Sequence, residues 1–308
     1  MPPQNPIIGI YTIDAEDFGQ ERTTAQTYIA ASYVKNIQMS AAQVVPLYYH
    51  YSHQQLDTIL PKLNGVFFTG GAMPISWDNQ YTSNLDYIMK WANRENDAGR
   101  PFPLWGTCLG YEAIMYLHSG ERDNMTVLTG VKDRLGLVDK VKVTDTTSSL
   151  IKALSADEIK DMTSGEGLFW FDHYWVITTE TYRKYEGINK FWKLVTTSET
   201  KEGLEFISTL EARNYPYFLV QHHPEKNSFE WGIDARRDYN AIRVPQKWIN
   251  TFMKVARLSP NRMDYEEFKA TSIYNYDAFY KPGNYFTTVY LFDERNPKTY
   301  EEITQLQQ

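Results

Sequence analysis

Short apolar runs alternate with stretches of helical periodicity through the first half of the chain. The apolar runs predict four strands, at residues 6–11, 44–47, 65–68 and 102–105. The periodic stretches predict helices between them, at 25–41, around 56–63, at 85–98 and from 109 to 117. Strands that alternate with helices are typical of an α/β fold, with a mostly parallel sheet flanked by helices on both faces.

The second half of the chain is richer in strand patterns. It predicts three strands and one long helix, the strands at 192–197, 204–210 and 218–221 and the helix at 234–258. Beyond Ser259-Pro260 the chain is rich in Tyr and Phe and is too aromatic for a disordered tail. Since no repeat or linker interrupts the pattern, we expect a single domain over 1–308 with this aromatic segment packed on it.

Composition narrows the classes of protein to which the chain can belong. Lys and Arg total 31 against 38 Asp and Glu, a formal net charge of -7, so the basic footprint of a nucleic-acid-binding protein is missing. No apolar run approaches the ~18 residues of a membrane span, and the start of the chain lacks the pattern of a signal peptide. Cys108 is the only cysteine, which excludes intramolecular disulfides and multi-cysteine zinc sites.

That single cysteine lies between two glycines, where a predicted strand meets a predicted helix. Gly106 and Gly110 flank Cys108 in the run Gly-Thr-Cys-Leu-Gly, as small residues do in a nucleophile elbow. At a helix N-terminus the unpaired N–H groups and the positive end of the dipole favour thiolate over thiol. The pattern therefore predicts a nucleophilic cysteine at this corner.

Backbone donors for an oxyanion are predicted beside the sulfur. The N–H of Leu109 follows the nucleophile directly, and the pair Gly70 and Gly71 follows the third predicted strand. Because glycine lets the backbone approach closely, either member of the pair can supply the second donor.

A base and a carboxylate follow the strand predicted at 218–221. Pro224 favours extended geometry at His223, and residues two apart in an extended chain point to the same side. His223 and Glu225 are therefore predicted to lie together as a base and its orienting group, while His222 points to the opposite side and packs.

These residues, together with further motifs along the chain, carry a family resemblance. The chain is similar to the class I glutamine amidotransferase group and, more closely, resembles the gamma-glutamyl hydrolases. The motifs that carry it are Leu104-Trp105-Gly106-Thr107-Cys108-Leu109-Gly110-Tyr111-Glu112, His223-Pro224-Glu225-Lys226, Ser32-Tyr33-Val34-Lys35, His173-Tyr174-Trp175 and Tyr290-Leu291-Phe292-Asp293. Two positions depart from the family pattern: His222 stands where tryptophan is common, and Thr69 where proline often precedes the glycine pair.

The resemblance implies a class I glutamine amidotransferase-like fold and a cysteine hydrolase of γ-glutamyl bonds. It implies Cys108 as the nucleophile, His223 as the base and then the acid, and Glu225 as the orienting carboxylate. Leu109 and the glycine pair match its oxyanion positions. Three further residues match substrate-side positions of the family, namely Glu112, Lys226 and His173.

The resemblance also implies the substrate and the setting of the enzyme. The expected substrate is a small molecule, a poly-γ-glutamylated folate, and no metal or organic cofactor is expected. A homodimer in a lysosomal, vacuolar or extracellular location is implied as well. The sequon at Asn124 is a candidate for N-glycosylation.

Two other functions remain open at this point. One is a glutaminase subunit that delivers ammonia to a partner synthetase, although the chain has no ATP-binding region of its own. The other is a non-enzymatic scaffold in which the cysteine is inert. His50 and His53 have a spacing that suits a metal, but they fall in a predicted loop with no carboxylate at a recognised spacing.

Overall fold

The computed structural model describes residues 5–15, 27–122, 126–280 and 286–292. Its strands are β1 Ile7–Tyr11, β2 Ile13–Asp14, β3 Thr27–Ala30, β4 Gln43–Leu47, β5 Gly65–Phe68, β6 Leu104–Thr107, β7 Thr129–Gly130, β8 Leu137–Asp139, β9 Lys142–Val143, β10 Phe169–Phe171, β11 Trp175–Val176, β12 Trp192–Glu199, β13 Glu205–Ala212, β14 Tyr217–Val220, β15 Ala278–Tyr280 and β16 Thr288–Phe292. Its α-helices are α1 Ala31–Gln38, α2 His53–Ile59, α3 Gln80–Asp97, α4 Leu109–Ser119, α5 Ser149–Lys152, α6 Ala156–Thr163, α7 Thr179–Lys184, α8 Glu186–Asn189, α9 Lys226–Phe229, α10 Tyr239–Ala256 and α11 Tyr265–Thr271, with short 3₁₀ turns at Leu60–Lys62 and Ile273–Asn275.

Within the described residues, eight strands form the central sheet, in the order β4-β1-β5-β6-β14-β13-β12-β9. The first five strands in that order are parallel to one another, and the last three continue the sheet antiparallel. Because parallel strands end at the same edge, the residues that follow β5, β6 and β14 meet there.

Successive residues along the parallel strands enter two separate cores. Ile8 and Ile10 of β1 pack with residues of α1 and α10, whereas Ile7 and Tyr11 pack on the opposite face with residues of α2, α3 and α4. Strands buried on both faces are typical of α/β proteins, because their helical connections cover both sides. The predicted α/β fold, with a mostly parallel sheet between helices, is confirmed.

The aromatic C-terminal segment packs on the domain through a second sheet. That sheet has the order β15-β16-β3-β2, and β16 pairs antiparallel with β3. Val289 and Phe292 are buried, and the Phe292 ring lies edge-on to Tyr48 with 5.6 Å between centroids. The predicted packing of this segment is thus confirmed for residues 286–292.

Three local predictions were wrong at their boundaries. Residues 27–30 form β3 rather than the start of a helix, because pairing with β16 overrides the local periodicity of Thr-Tyr-Ile-Ala. The long C-terminal helix begins at Tyr239, where the Asp238 side chain accepts the N–H of Ala241 as a cap. His53 was predicted in a loop but begins α2, and its ring stacks on Tyr87 with centroids 4.0 Å apart.

Candidate active site

Cys108 lies at a sharp turn between β6 and α4, at the carboxyl edge of the sheet. Its backbone has φ 49° and ψ −105°, a strained conformation that is uncommon outside glycine. The N–H of Cys108 donates to the carbonyl of Val220 in the neighbouring strand, at 2.8 Å, which fixes the turn to the sheet. The predicted strand-to-helix corner is therefore present, with the side chain at its apex.

Both flanking glycines lie in close packing. A Cβ at Gly106 would lie 2.6 Å from Leu219 Cδ2, and one at Gly110 would lie 2.6 Å from Cβ of Phe68. The contact at Gly106 is with the movable end of a leucine, whereas a Cβ at Gly110 would also lie 2.8 Å from the backbone oxygen of Phe68. Helix α4 can therefore approach β5 only because Gly110 lacks a side chain.

His223 and Glu225 follow β14 and form a buried pair. Nδ1 of His223 lies 2.8 Å from Oε1 of Glu225, and both side chains are almost entirely buried. The local geometry differs from the prediction: Pro224 and Glu225 form a turn, closed by the N–H of Lys226 donating to the carbonyl of His223 at 3.2 Å. The two side chains meet through this turn and not through an extended chain.

Gly70 marks the place where the imidazole and the cysteine come together. A Cβ at this position would lie 2.7 Å from Cε1 of His223 and 3.1 Å from Cβ of Cys108. The structure thus brings Cys108 from one segment, and the pair His223 and Glu225 from another, to the same glycine.

The thiol is buried, and burial governs its acidity. Burial raises the pKa of Cys108 well above 9.0, and the nearby carboxylates of Glu112 and Asp172 raise it further. The ammonium of Lys226 acts in the opposite direction but does not offset them. The expectation that the helix terminus keeps the sulfur ionised was therefore wrong, because burial and the neighbouring carboxylates favour the thiol.

Two of the three predicted oxyanion donors have a backbone N–H without an acceptor among the described residues. The N–H of Leu109, the first residue of α4, has no acceptor among the residues that the structure describes. The N–H of Gly70 donates to the hydroxyl of Tyr33 at 2.9 Å, whereas that of Gly71 has no acceptor within the same described ranges. Gly71 has φ +146°, and a Cβ there would lie 2.0 Å from Ile13 Cδ1, so only glycine fits.

Glu112 lies in α4 close enough to Cys108 to raise the pKa of its thiol. Nε2 of Gln221 donates to its Oε1 at 2.9 Å, and burial raises the pKa of Glu112 from 4.5 to about 7. The carboxyl group can therefore exchange a proton near neutral pH, one helical turn from Cys108.

The other two predicted substrate residues also lie at the site. Nζ of Lys226 is 3.8 Å from the carboxylate Oδ2 of Asp172. The backbone carbonyl oxygen of Asp172 is 3.7 Å from Sγ of Cys108. His173 is buried, with Nδ1 3.0 Å from the carbonyl of Trp175, and burial lowers its pKa to about 3. His173 is therefore neutral at the pH of any ordinary assay.

The sequence did not indicate the roles of Tyr33, Asp172 and Gln221 at this site. Tyr33 is 190 residues from His223 along the chain, yet its hydroxyl is 3.2 Å from Nδ1. His222, predicted to pack, is fully buried and stacks on Phe169 with centroids 3.9 Å apart. Asn124, the predicted glycosylation residue, lies outside the described residues.

Neither a metal cluster nor a membrane helix is found in the described part of the chain. Within residues 5–15, 27–122, 126–280 and 286–292, no three His, Cys, Asp or Glu side chains are grouped so that they could hold a metal ion. Over the same residues, no helix is both long and apolar enough to cross a bilayer.

Comparison with known proteins decides the family. The Peptidase C26 family model matches residues 6–122. The chain is 32% identical over 299 residues to gamma-glutamyl hydrolase of Bos taurus, covering 94% of this chain and 91% of that protein. The chain belongs to the gamma-glutamyl hydrolase family. The resemblance inferred from the sequence is thereby confirmed, and with it the expectation of a hydrolase.

Relatives in plants and amoebae cover the chain to the same extent. Gamma-glutamyl hydrolase 1 of Arabidopsis thaliana is 31% identical over 296 residues, covering 94% of this chain and 83% of that protein. Gamma-glutamyl hydrolase B of Dictyostelium discoideum is 30% identical over 308 residues, covering 96% of this chain and 85% of that protein. Among solved structures, a protein described as a GMP synthase subunit from Thermoplasma acidophilum aligns with a TM-score of 0.49 at 15% identity, covering 82% of this chain and 96% of that chain. That distant likeness carries no functional information.

Proposed function

We propose that this chain hydrolyses γ-glutamyl amide bonds through a thioester on Cys108, with His223 as base and acid and Glu225 as its orienting carboxylate. The observation that carries the proposal is the 2.8 Å contact between Nδ1 of His223 and Glu225, beside a cysteine held at a strained turn. A nucleophile, a base within reach and a group that orients the base are the parts that acyl transfer requires.

The protonation states follow from this contact. Because the Glu225 carboxylate accepts from Nδ1–H, the neutral imidazole presents an unprotonated Nε2. Since the thiol holds its proton at neutral pH, Nε2 takes that proton as sulfur attacks the carbonyl carbon. The imidazolium then returns the proton to the departing amine nitrogen, and the C–N bond breaks.

The N–H groups of Leu109 and Gly71 are the proposed donors to the tetrahedral oxyanion. Both lack another acceptor among the described residues, whereas the N–H of Gly70 is already engaged with Tyr33. Preorganised donors of this kind stabilise the charge that develops on oxygen in the transition state. Water activated by His223 then attacks the thioester, releases the γ-carboxylate and restores the thiol.

Substrate recognition is assigned to charged groups around the sulfur. Each free α-carboxylate of a γ-linked glutamate is an anion, and the buried ammonium of Lys226 is the cation placed to hold one. Glu112, with its pKa near 7 and its contact to Gln221, is proposed to bind the amide groups of the same residue. His173 is neutral and is proposed to line the rim of the cleft.

The finer points of substrate and setting rest on the family resemblance. We propose poly-γ-glutamylated folates as the substrate, a single domain over 1–308, a homodimer, and a lysosomal, vacuolar or extracellular location. A chain of α-carboxylates fits the lysine at the site, and the family membership supports the rest.

The test is product analysis on a defined folate pentaglutamate. We expect the isolated chain to release glutamate or oligoglutamate without ATP, metal or partner, and Cys108→Ala to fold with an unchanged melting temperature but release nothing. Activity restricted to free glutamine would overturn the proposal in favour of a glutaminase subunit. Full activity in Cys108→Ala would remove the nucleophile from the mechanism.

A further inference from the structure

The hydroxyl of Tyr33 lies where the catalytic imidazole and the glycine pair meet. Tyr33 belongs to α1 and is almost fully buried. The centroid of its ring lies 5.6 Å from that of Phe67. Its Oη is 3.2 Å from Nδ1 of His223 and accepts the N–H of Gly70 at 2.9 Å. One oxygen atom thus contacts both the base and the loop that carries the proposed oxyanion donor.

The hydrogen atoms at this junction can be assigned from the partners. Glu225 is a carboxylate and accepts only, so the proton between it and His223 is on Nδ1. The Tyr33 oxygen then faces an N–H of His223 on one side and an N–H of Gly70 on the other, and it accepts from both. In this arrangement Nδ1–H is shared between Glu225 at 2.8 Å and Tyr33 at 3.2 Å.

We propose that Tyr33 is a positioning residue for the reaction: its hydroxyl oxygen holds the His223 ring with Nδ1 protonated and Nε2 free, and keeps the N–H of Gly70 away from the substrate. Two acceptors on one Nδ1–H restrict rotation of the ring about its Cβ–Cγ bond. Engagement of Gly70 leaves Gly71 as the member of the pair that meets the oxyanion. Burial keeps this tyrosine neutral, since its pKa is raised well above 10.0, chiefly by desolvation.

The proposal rests on the proposed function and is tested with Tyr33→Phe, which removes only the oxygen. A hydrogen bond to a group that becomes charged is worth about 10- to 100-fold in rate, so kcat on a γ-glutamyl substrate should fall by that factor while KM changes little. The matched control is Tyr217→Phe, a fully buried tyrosine whose hydroxyl donates to Oδ1 of Asn93 at 2.7 Å, away from the carboxyl edge. This control should keep the kcat of the wild type.

A second measurement does not depend on turnover. The Nδ1–H proton of His223 should be observable by NMR in the wild-type protein, and it should exchange faster with water in Tyr33→Phe. Unchanged kcat together with unchanged exchange in a folded Tyr33→Phe protein would overturn the proposal. Equal loss of kcat in both Tyr→Phe variants would also overturn it, because a general loss of stability would then explain the effect. If the wild type cleaves no γ-glutamyl bond, the proposed function fails, and the exchange measurement still decides the role of Tyr33.

Discussion

Gly70→Ala tests directly whether the site works as the structure arranges it. The added methyl group would lie 2.7 Å from Cε1 of His223, 2.7 Å from Oη of Tyr33 and 3.1 Å from Cβ of Cys108. The backbone of Gly70 is not in the left-handed region, so an alanine is strained by these contacts and not by its own conformation. The substitution therefore acts directly on the proposed catalytic groups.

The size of the effect follows from these distances. Ordinary van der Waals contact begins at about 3.4 Å, so the imidazole must retreat by several tenths of an ångström from the new methyl group. A displacement of the base that approaches 1 Å costs about 10²-fold in rate, because proton transfer depends on close alignment. We expect kcat/KM to fall about 100-fold, with the chain still folded, since overpacking of one methyl group typically costs 1–3 kcal/mol of stability.

The assay measures glutamate release from a γ-linked oligoglutamate, with the melting temperature recorded in parallel. The matched control is Gly130→Ala, where the new Cβ would lie 3.5 Å from the nearest atom, on Trp175, in ordinary contact. We expect the control to retain activity. A folded Gly70→Ala enzyme with kcat/KM within about threefold of the wild type would refute the assembly of the site around this glycine.

Three further predictions concern titration. Because burial raises the pKa of Cys108, the rate of its alkylation by iodoacetamide should rise with pH up to and beyond 9.0. A rate that does not change with pH around neutrality would instead indicate a preformed thiolate–imidazolium pair. The pKa of Glu112 is raised from 4.5 to about 7, so the native state retains a proton that the unfolded chain releases. The free energy of unfolding, measured with urea, should therefore decrease by about 3 kcal/mol as the pH rises from 4.5 to about 7. Glu112→Gln should remove this decrease. His118 is neutral because burial lowers its pKa from 6.5 to about 4, with Nδ1 accepting from Nε1 of Trp192 at 3.0 Å. Stability should therefore be lost as pH falls from 6.5 to 4, and His118→Asn should lessen that loss; an unchanged acid-unfolding midpoint would contradict the assignment.

Local patterns were sufficient to predict the parallel half of the sheet. Apolar runs such as 65–68 are short and bounded by turn residues, and they form strands wherever they pack. Residues 27–30 show the limit of this reasoning, because their partner β16 lies more than 250 residues away in sequence. Pairing over such a distance is decided by the tertiary fold and leaves no local signal.

The sequence by itself determined that Cys108 stands at a strained turn between glycines, and that a histidine and a glutamate follow another strand. Those features are local, since they depend on residue size and backbone preference over a few positions. Only the tertiary structure decided that the thiol is buried and holds its proton, and that the hydroxyl of Tyr33 contacts His223 from 190 residues away. The reason is that desolvation and long-range contacts depend on which segments surround a group, and that is settled only when the sheet and both helical layers are in place.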